Sequence, residues 1–493
     1  MSKFSERCKA YLEDSGITLY KCSQKSGIER TTLYRMVNGR RLPPKEVLIS
    51  FCDYLRLDNN SRDDLIELYN EEKIGTVRFQ NRKFIQMLLE YMANIELNNS
   101  SKSNVFFDSY YKFNIPSHIK GVAPSPKKTT TYFQTKTLIH QLLSYTFSQN
   151  KKQILFTNLP HTFETFFNDV QTLFLMNIDK KVIIYHLFTF LSSPGHTSHV
   201  NYNLEILFHI LPLALSPYED YQPYYTYTSC AIHDIDFVPW NYYLVTDDYA
   251  FTISADMATG ILHFDSEIIE TYQHRVKQIK KRMSPLLNPI PLLGQACDYY
   301  HYFTSQLGNP IFSMEYTPCV SFLFPPSRLS ELMNYLTSDI LKDENKELLN
   351  EMLKTLISSA QKDTTHIISE QGLSYFMENG KLLGQGAYYF PSFSMKDRKK
   401  ALEKFLSHVR KKNNFICFRS NFIVPQNIYI ELYANNFILF LLFRPDMQMK
   451  FCYIQESSLY EAFYDFMDSL PETNSTLNNE ELIALLEYYL ETT

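Results

Sequence analysis

Two short helical patterns meet at a glycine in the stretch TLYKCSQKSGIERTTLYRMVN, Thr18 to Asn38, and that hinge constrains the fold more than any other feature of the chain. Thr18 can cap the first pattern, in which Leu19, Cys22 and Ser23 recur at helical spacing before it stops at Gly27, where a left-handed residue carries no Cβ penalty. The second begins near Glu29 and turns Leu33, Met36 and Val37 to one side, ending at Asn38-Gly39. Helices this short are not stable alone and must pack on neighbours. The flanks provide them. Phe4, Cys8, Tyr11 and Leu12 form a helical pattern closed by Ser15-Gly16, Val47, Leu48, Phe51 and Leu55 form another after Pro43-Pro44, and a fifth helix is expected from Ser61 to Glu72. Residues 1–75 should therefore be an all-α bundle of five short helices.

The polar residues of the second pattern matter as much as its apolar ones. Arg30, Thr31, Thr32 and Arg35 fall on the outward side, Tyr34 can face either way, and Asn38, Arg40 and Arg41 follow directly. From Ser26 to Lys45 the chain carries four Arg and one Lys against Glu29, or 5 − 1 = +4, within a protein whose formal net charge is −5. A compact cationic face on an acidic protein is the footprint of a phosphate-binding surface.

The segment TLYKCSQKSGIERTTLYRMVNGRRLPPKEVLISFCDYLRL resembles the lambda-repressor-like helix-turn-helix domain of the Cro/XRE class, in its glycine turn, hydrophobic spacing, N-G-x-x-x-P ending and following helix. The likeness spans about a seventh of the chain. It implies that the second helix of the pair enters the major groove of duplex DNA, with Thr18, Arg30, Thr31, Thr32, Tyr34, Arg35, Asn38, Arg40 and Arg41 as the contact residues. Two positions depart from the pattern: Leu19 stands where many members carry a DNA-contacting Gln, and Ser23 where the two helices usually meet through Ala.

Residues 76–129 are expected to link this bundle to the rest. Phe84, Leu88, Met92 and Ile95 make a helical apolar stripe, suited either to pairing two copies in a homodimer or to packing on the chain's own downstream domain. LNNSSKSN (97–104) and IPSHIKGVAPSPKKTTT (115–131) read as irregular breaks.

Beyond residue 130 strand-like and helical segments alternate, the mark of α/β layers with a mixed sheet. KQILFTNL (152–159), KKVIIYHLF (180–188) and YYTYTSC (224–230) read as strands, TFETFFNDVQTLFLMNI (162–178) and YNLEILFHILPLAL (202–215) as helices. A hairpin around Asp247-Asp248 and a closing helix, 266–283, follow. A hairpin around Asn435-Asn436 and the helix at 457–470 repeat that order after a short strand, FICFRS (415–420). The large region is therefore expected to hold two related α/β units, residues 130–284 and 285–493, the second closing on a C-terminal helix. This layout looks like the tandem halves of the phospholipase D-like fold, whose enzymes carry H-x-K-x4-D in each half. The H-x-K of this chain is His118-Ile119-Lys120, with Ser125 in the aspartate position, and the first hairpin reads VPWNYYLVTDDYA where the catalytic pair would stand. The resemblance implies the fold without the chemistry.

Other constellations are sparse. His196 and His199 have no acidic or cysteine partner nearby, while His233, Asp234 and Asp236, and His263 with Asp265, form short polar clusters better read as solvated than as acid–base or cation sites. No phosphate-cradling, dinucleotide or nucleophile-elbow motif is present, so neither a cofactor nor an enzymatic activity is expected. Eight scattered Cys without a C-x-x-C pair suit a reducing cytoplasm, and the longest apolar runs fall far below the roughly 20 residues that span a bilayer. The 36 Tyr and 37 Phe read mainly as core and sheet filling. Basic helices at 274–282 and 398–412 read as solvated faces. The chain is expected to be a DNA-binding transcriptional regulator whose remainder senses a small-molecule or peptide effector and dimerises. A DNA-targeted enzyme, a degenerate phosphodiesterase or nuclease, and a protein- or peptide-interaction scaffold are the alternatives.

Overall fold

The computed structural model describes residues 1–100, 128–176, 182–192, 201–215, 220–228, 240–290, 308, 310–319, 323–324, 364–382, 392–412, 414–443 and 449–492. The chain divides into two compact units, Met1–Phe84 and Ile85–Thr493.

The first unit is built from α1 (Lys3–Asp14), α2 (Leu19–Ser26), α3 (Arg30–Val37), α4 (Lys45–Leu55) and α5 (Asn59–Ile74), followed by the start of α6 (Thr76–Ser100). Side chains of Ser2, Thr18 and Asp58 cap α1, α2 and α5 by accepting from backbone N–H groups in the first turn. Asp58 and Gly75 set the limits of α5, which runs two residues further at each end than its apolar spacing indicates. Phe4, Cys8, Cys22, Leu33, Met36, Leu48, Phe51, Cys52 and Leu65 share one buried core. Each such large side chain contributes about 1.5–3 kcal/mol by leaving water. The Tyr69 hydroxyl donates to Pro43 O at 3.0 Å, which ties α5 to the connection between α3 and α4.

The boundary between the units falls inside α6. From there Leu88 and Met92 of the expected stripe are buried, joined by Ile85, Leu89 and Ala93, while Phe84 is only half-buried. Tyr91 stacks on Phe208 at 4.8 Å. Because the chain itself covers this face, it is not available for pairing with a second copy; the side chain of Ile95 lies outside the described residues.

The second unit contains two eight-stranded mixed sheets among the described residues. The first runs β1 (Lys128–Thr129), β7 (Gly260–His263), β6 (Ala250–Ile253), β5 (Tyr242–Val245), β2 (Gln153–Thr157), β3 (Val182–Leu191), β4 (Tyr221–Thr228) and β8 (Ser284–Pro285). The second runs β9 (Asn288–Ile290), β15 (Met449–Ile454), β14 (Phe437–Phe443), β13 (Ile428–Tyr433), β10 (Phe312–Met314), β11 (Thr365–Ser369), β12 (Phe415–Phe418) and β16 (Thr476–Leu477). The two orders correspond strand for strand. In each sheet a parallel trio (β2-β3-β4; β10-β11-β12) joins an antiparallel meander, with the leading strand antiparallel to the meander's last and the final strand antiparallel to the trio's edge. The expected hairpins are thus three-stranded meanders. The second reversal of the first meander was not read from the sequence because it turns on side-chain chemistry: Asp256 Oδ1 accepts from Ala258 N at 2.9 Å and Met257 takes φ 58°.

Helices α7 (Tyr132–Ser148), α8 (Glu164–Met176), α9 (Tyr202–Ala214) and α10 (Ser266–Lys280) belong to the first sheet. Helices α11 (Glu370–Asn379), α12 (Met395–Lys411), α13 (Ser457–Ser469) and α14 (Asn479–Thr492) belong to the second. Asp265 and Glu456 hold the same place in the two halves, each capping the helix after the meander: α10 through Glu267 N and Ile268 N, α13 through Ser458 N and Leu459 N. Asp265 is exposed. Glu456 is 2% exposed and also accepts from Tyr227 of the first half, while Asn203 donates to Ser458 Oγ at 2.9 Å. Burial first, and Glu456 second, hold the Tyr227 hydroxyl protonated, so it remains a donor. A charge-assisted bond of this kind contributes about 1.5–3 kcal/mol to holding the halves together.

Candidate nucleic-acid interface

Gly27, at φ 74°, ends α2 in the left-handed region and turns the chain into α3. Ser23 secures this turn, its hydroxyl donating to Ile28 O at 2.7 Å. The serine found where the pattern favours alanine is therefore a hydrogen-bonding member of the hinge; Ser23→Ala is expected to lower the stability of the bundle by about 1 kcal/mol while leaving its helical circular dichroism unchanged. Leu19 packs against the bundle core rather than facing water.

On α3 the inward side chains are Leu33, Met36 and Val37, at 1%, 1% and 3% exposure. Arg30, Thr31, Tyr34 and Arg35 are exposed and Thr32 is half-buried, which settles Tyr34 on the outer side. Asn38 is half-buried and its amide donates to Tyr34 O at 2.8 Å, closing the helix end; Arg40 and Arg41 follow, both exposed. Gly39 takes φ 65°, and a Cβ there would stand 2.9 Å from Ser5 Oγ, so the tight exit from α3 requires glycine. Thr18 is exposed at the start of α2.

Among the described residues, none of Arg30, Arg35, Arg40 and Arg41 takes part in an ion pair, unlike Arg7 with Asp64 or Arg62 with Asp53 in the same unit. Two lie over tyrosine rings instead: Arg30 over Tyr20 at 5.7 Å and Arg40 over Tyr34 at 5.3 Å. Ring faces orient a guanidinium without cancelling its charge. Tyr20, 54% exposed, escaped the sequence reading because an exposed aromatic on the first helix breaks no apolar pattern. The Glu29 carboxylate accepts from the Thr31 hydroxyl at the head of α3. Five cations and one engaged carboxylate thus share the short run from Ser26 to Lys45.

Residues 9–71 match the model of the Cro/C1-type HTH DNA-binding domain. The first unit carries a Cro/C1-type helix-turn-helix domain. That helix-turn-helix domain makes the chain a DNA-binding regulator. No curated protein matches the chain. Among solved structures, the phosphatidylserine synthase of Haemophilus influenzae Rd KW20 is similar at 10% identity over 74% of this chain and 92% of that one, with a TM-score of 0.24. Likeness at that level decides nothing about the α/β unit.

Outside the helix-turn-helix domain, His118, Lys120 and Ser125, His196 and His199, and His233, Asp234 and Asp236 lie outside the described residues. The His263 ring lies 6.2 Å from that of Tyr272, and Asp265 caps α10 through Glu267 N and Ile268 N. Among the described residues no group of His, Cys, Asp and Glu is placed to hold a metal ion, and no helix is long and apolar enough to cross a membrane. The six described cysteines are buried, and none forms a disulfide among the described residues.

One buried polar cluster had no sequence signal. Strand register sets Ser313 beside both His366 and Glu431, with Glu315 two residues on along the same face. His366 Nδ1 is 3.4 Å from Glu315 Oε1, and Tyr433 donates to Glu431 at 2.6 Å. Burial raises the Glu315 carboxyl well above the usual range and pushes Glu431 up to about 7, while it lowers His366 to about 4. The cluster favours protonated carboxyls and a neutral imidazole. Its three members come from strands far apart in sequence, which is why no local motif marks it.

Proposed function

We propose that the protein is a sequence-specific transcriptional regulator that reads an operator with α3. In this reading Arg30, Thr31, Thr32, Tyr34 and Arg35 face base edges, and Thr18, Asn38, Arg40 and Arg41 hold phosphates. The observation that carries it is the set of four exposed arginines, unpaired by any carboxylate, on and just beyond the second helix of the helix-turn-helix domain. The α/β unit acts as effector-sensing and dimerising module: a bound small molecule or peptide changes the affinity of paired helix-turn-helix domains for two half-sites. The α/β unit is read as non-catalytic, and the buried cysteines suit a reducing cytoplasm.

The test uses the full-length chain and an operator enriched from random duplex DNA. The double substitution Arg30→Ala, Arg35→Ala is expected to lower preference for that operator over a scrambled duplex by at least about 100-fold, since each good arginine–base contact contributes roughly 1–3 kcal/mol of discrimination. Both side chains are exposed, so folding should be unaffected. A variant that keeps its operator preference would remove α3 from the reading role.

A further inference from the structure

We infer that the C-terminal end of α10, with the residues just after it, is a second binding surface for the phosphate backbone of DNA, separate from the helix-turn-helix domain. The inference rests on the DNA-binding reading above. RVKQIKKR, from Arg275 to Arg282, carries five cations and no acid. With this +5 and the +4 of the run from Ser26 to Lys45, the rest of the chain amounts to −5 − 5 − 4 = −14. A third basic run, Arg398 to Lys412 on and just after α12, carries seven cations against Glu403; of the three, one already lies in a DNA-binding domain.

Exposed charge on a helix is ordinarily just its solvated face, and α12, the other basic helix, illustrates an internal use of such residues. There Arg398 donates to Phe393 O at 2.9 Å, Met377 O at 2.7 Å and Glu378 O at 3.1 Å. Lys404 donates to Phe324 O, and Arg410 pairs with Glu487. The cations of α10 behave differently. Arg275, Lys277, Lys281 and Arg282 are exposed, and none forms an ion pair among the described residues. Lys280 is held over two tyrosine rings, 4.0 Å from the Tyr185 centroid and 4.4 Å from that of Tyr224, which fixes its position while leaving its charge in place.

A helix C-terminus attracts cations, but its partial charge of about −0.5 cannot balance five of them. Lys277 and Lys281 stand at i,i+4 spacing, where like charges destabilise a helix. Asp247, which touches α10 through the Gln273 amide at 2.6 Å, and its neighbour Asp248, paired with Lys151 at 2.7 Å, are both engaged. Glu267 and Glu270 lie toward the opposite end of α10. The backbone beyond the helix is not a loose tail, since Lys281 N, Arg282 N and Met283 N all donate back to helix carbonyls and β8 follows on the sheet edge. A rigid, concentrated, uncompensated cationic surface is complementary to a polyanion of regular charge spacing.

The test measures affinity of the full-length chain for duplex DNA over a series of KCl concentrations, with and without the four substitutions Arg275→Gln, Lys277→Gln, Lys281→Gln and Arg282→Gln. Each lost phosphate contact should reduce the slope of log affinity against log salt by about 0.9, so the variant's slope should fall in magnitude by about 2–4, with operator preference over scrambled duplex unchanged. An unchanged slope in a folded variant overturns the proposal. The same four substitutions added to the Arg30→Ala, Arg35→Ala chain should further weaken its residual, sequence-independent binding; residual binding of equal strength also overturns it. Failure of the α3 reading is distinct, because it appears as operator preference that survives loss of Arg30 and Arg35.

Discussion

Alanine at Gly372 is expected to destabilise the α/β unit by at least about 3 kcal/mol while leaving the helix-turn-helix domain folded. Gly372 lies in the first turn of α11, and its N–H donates to Ser369 Oγ at 2.9 Å. Ser369 Oγ in turn donates to Tyr316 O at 2.9 Å, as Ser369 N does at 3.2 Å. These bonds draw the Tyr316 carbonyl so close to the helix that a Cβ at residue 372 would stand 1.9 Å from the oxygen and 2.7 Å from its carbon. No rotamer relieves a clash with backbone, so either α11 leaves the sheet or the strand end carrying Tyr316 moves. Both routes disturb the buried group of Leu373, Phe376, Phe405 and Phe415. The helix-turn-helix core contains no residue of that group, so denaturant unfolding should resolve an early α/β transition and an unaltered bundle transition. A loss below about 1 kcal/mol would mean that the close approach of carbonyl and helix is not maintained in solution.

How far the structure could be read in advance depends on how local its determinants are. In the first unit the cap at Thr18, the glycine exits at Gly27 and Gly39 and the inward Leu33, Met36 and Val37 all act within a turn or two, so the bundle and its outward residues follow from the residues themselves. In the α/β unit the order of strands and helices is legible, and with it the duplication. Edge strands such as β1, β8 and β16, of two residues each, are not, because they exist only through pairing with strands distant in the chain. The same limit hides the Glu315, His366 and Glu431 cluster, which cross-strand register assembles. It also makes α10 and α12 look alike as sequences: both are basic, and only the tertiary surroundings reveal that Arg398, Lys404 and Arg410 are engaged within the fold while Lys277, Lys281 and Arg282 have no carboxylate partners. Ser23 is a smaller instance, since its hydroxyl gains a purpose only once Ile28 O lies beside it.

Acidification is expected to destabilise the α/β unit through His186, and the substitution His186→Gln should isolate that contribution. His186 is fully buried, with Nε2 2.8 Å from Leu159 O and Nδ1 2.9 Å from the Tyr221 hydroxyl. A carbonyl can only accept, so Nε2 carries the proton, and Nδ1 accepts from Tyr221, whose hydroxyl is itself held protonated by burial. A second proton on the ring would have to replace that accepted bond in a fully buried site. Burial accordingly lowers His186 from 6.5 to about 3, outweighing the favourable carbonyl of Leu159. The unfolded chain takes up this proton near pH 6.5 and the folded chain only near pH 3, so the stabilisation is complete above 6.5 and is lost as pH falls toward 3. The slope for one such group approaches 1.4 kcal/mol per pH unit. Glu431, raised from 4.5 to about 7 chiefly by burial, acts in the opposite sense: the folded state holds the proton longer, and stability is lost as pH rises through 7. Between about pH 4.5 and 6.5 the two effects oppose each other and flatten the wild-type profile. His186→Gln keeps a donor for Leu159 O but removes the titration, so its stability in urea should fall with rising pH across that window by about 1 kcal/mol per unit relative to wild type. Parallel profiles for the two proteins would show that His186 is protonated in the folded state as readily as in the unfolded one.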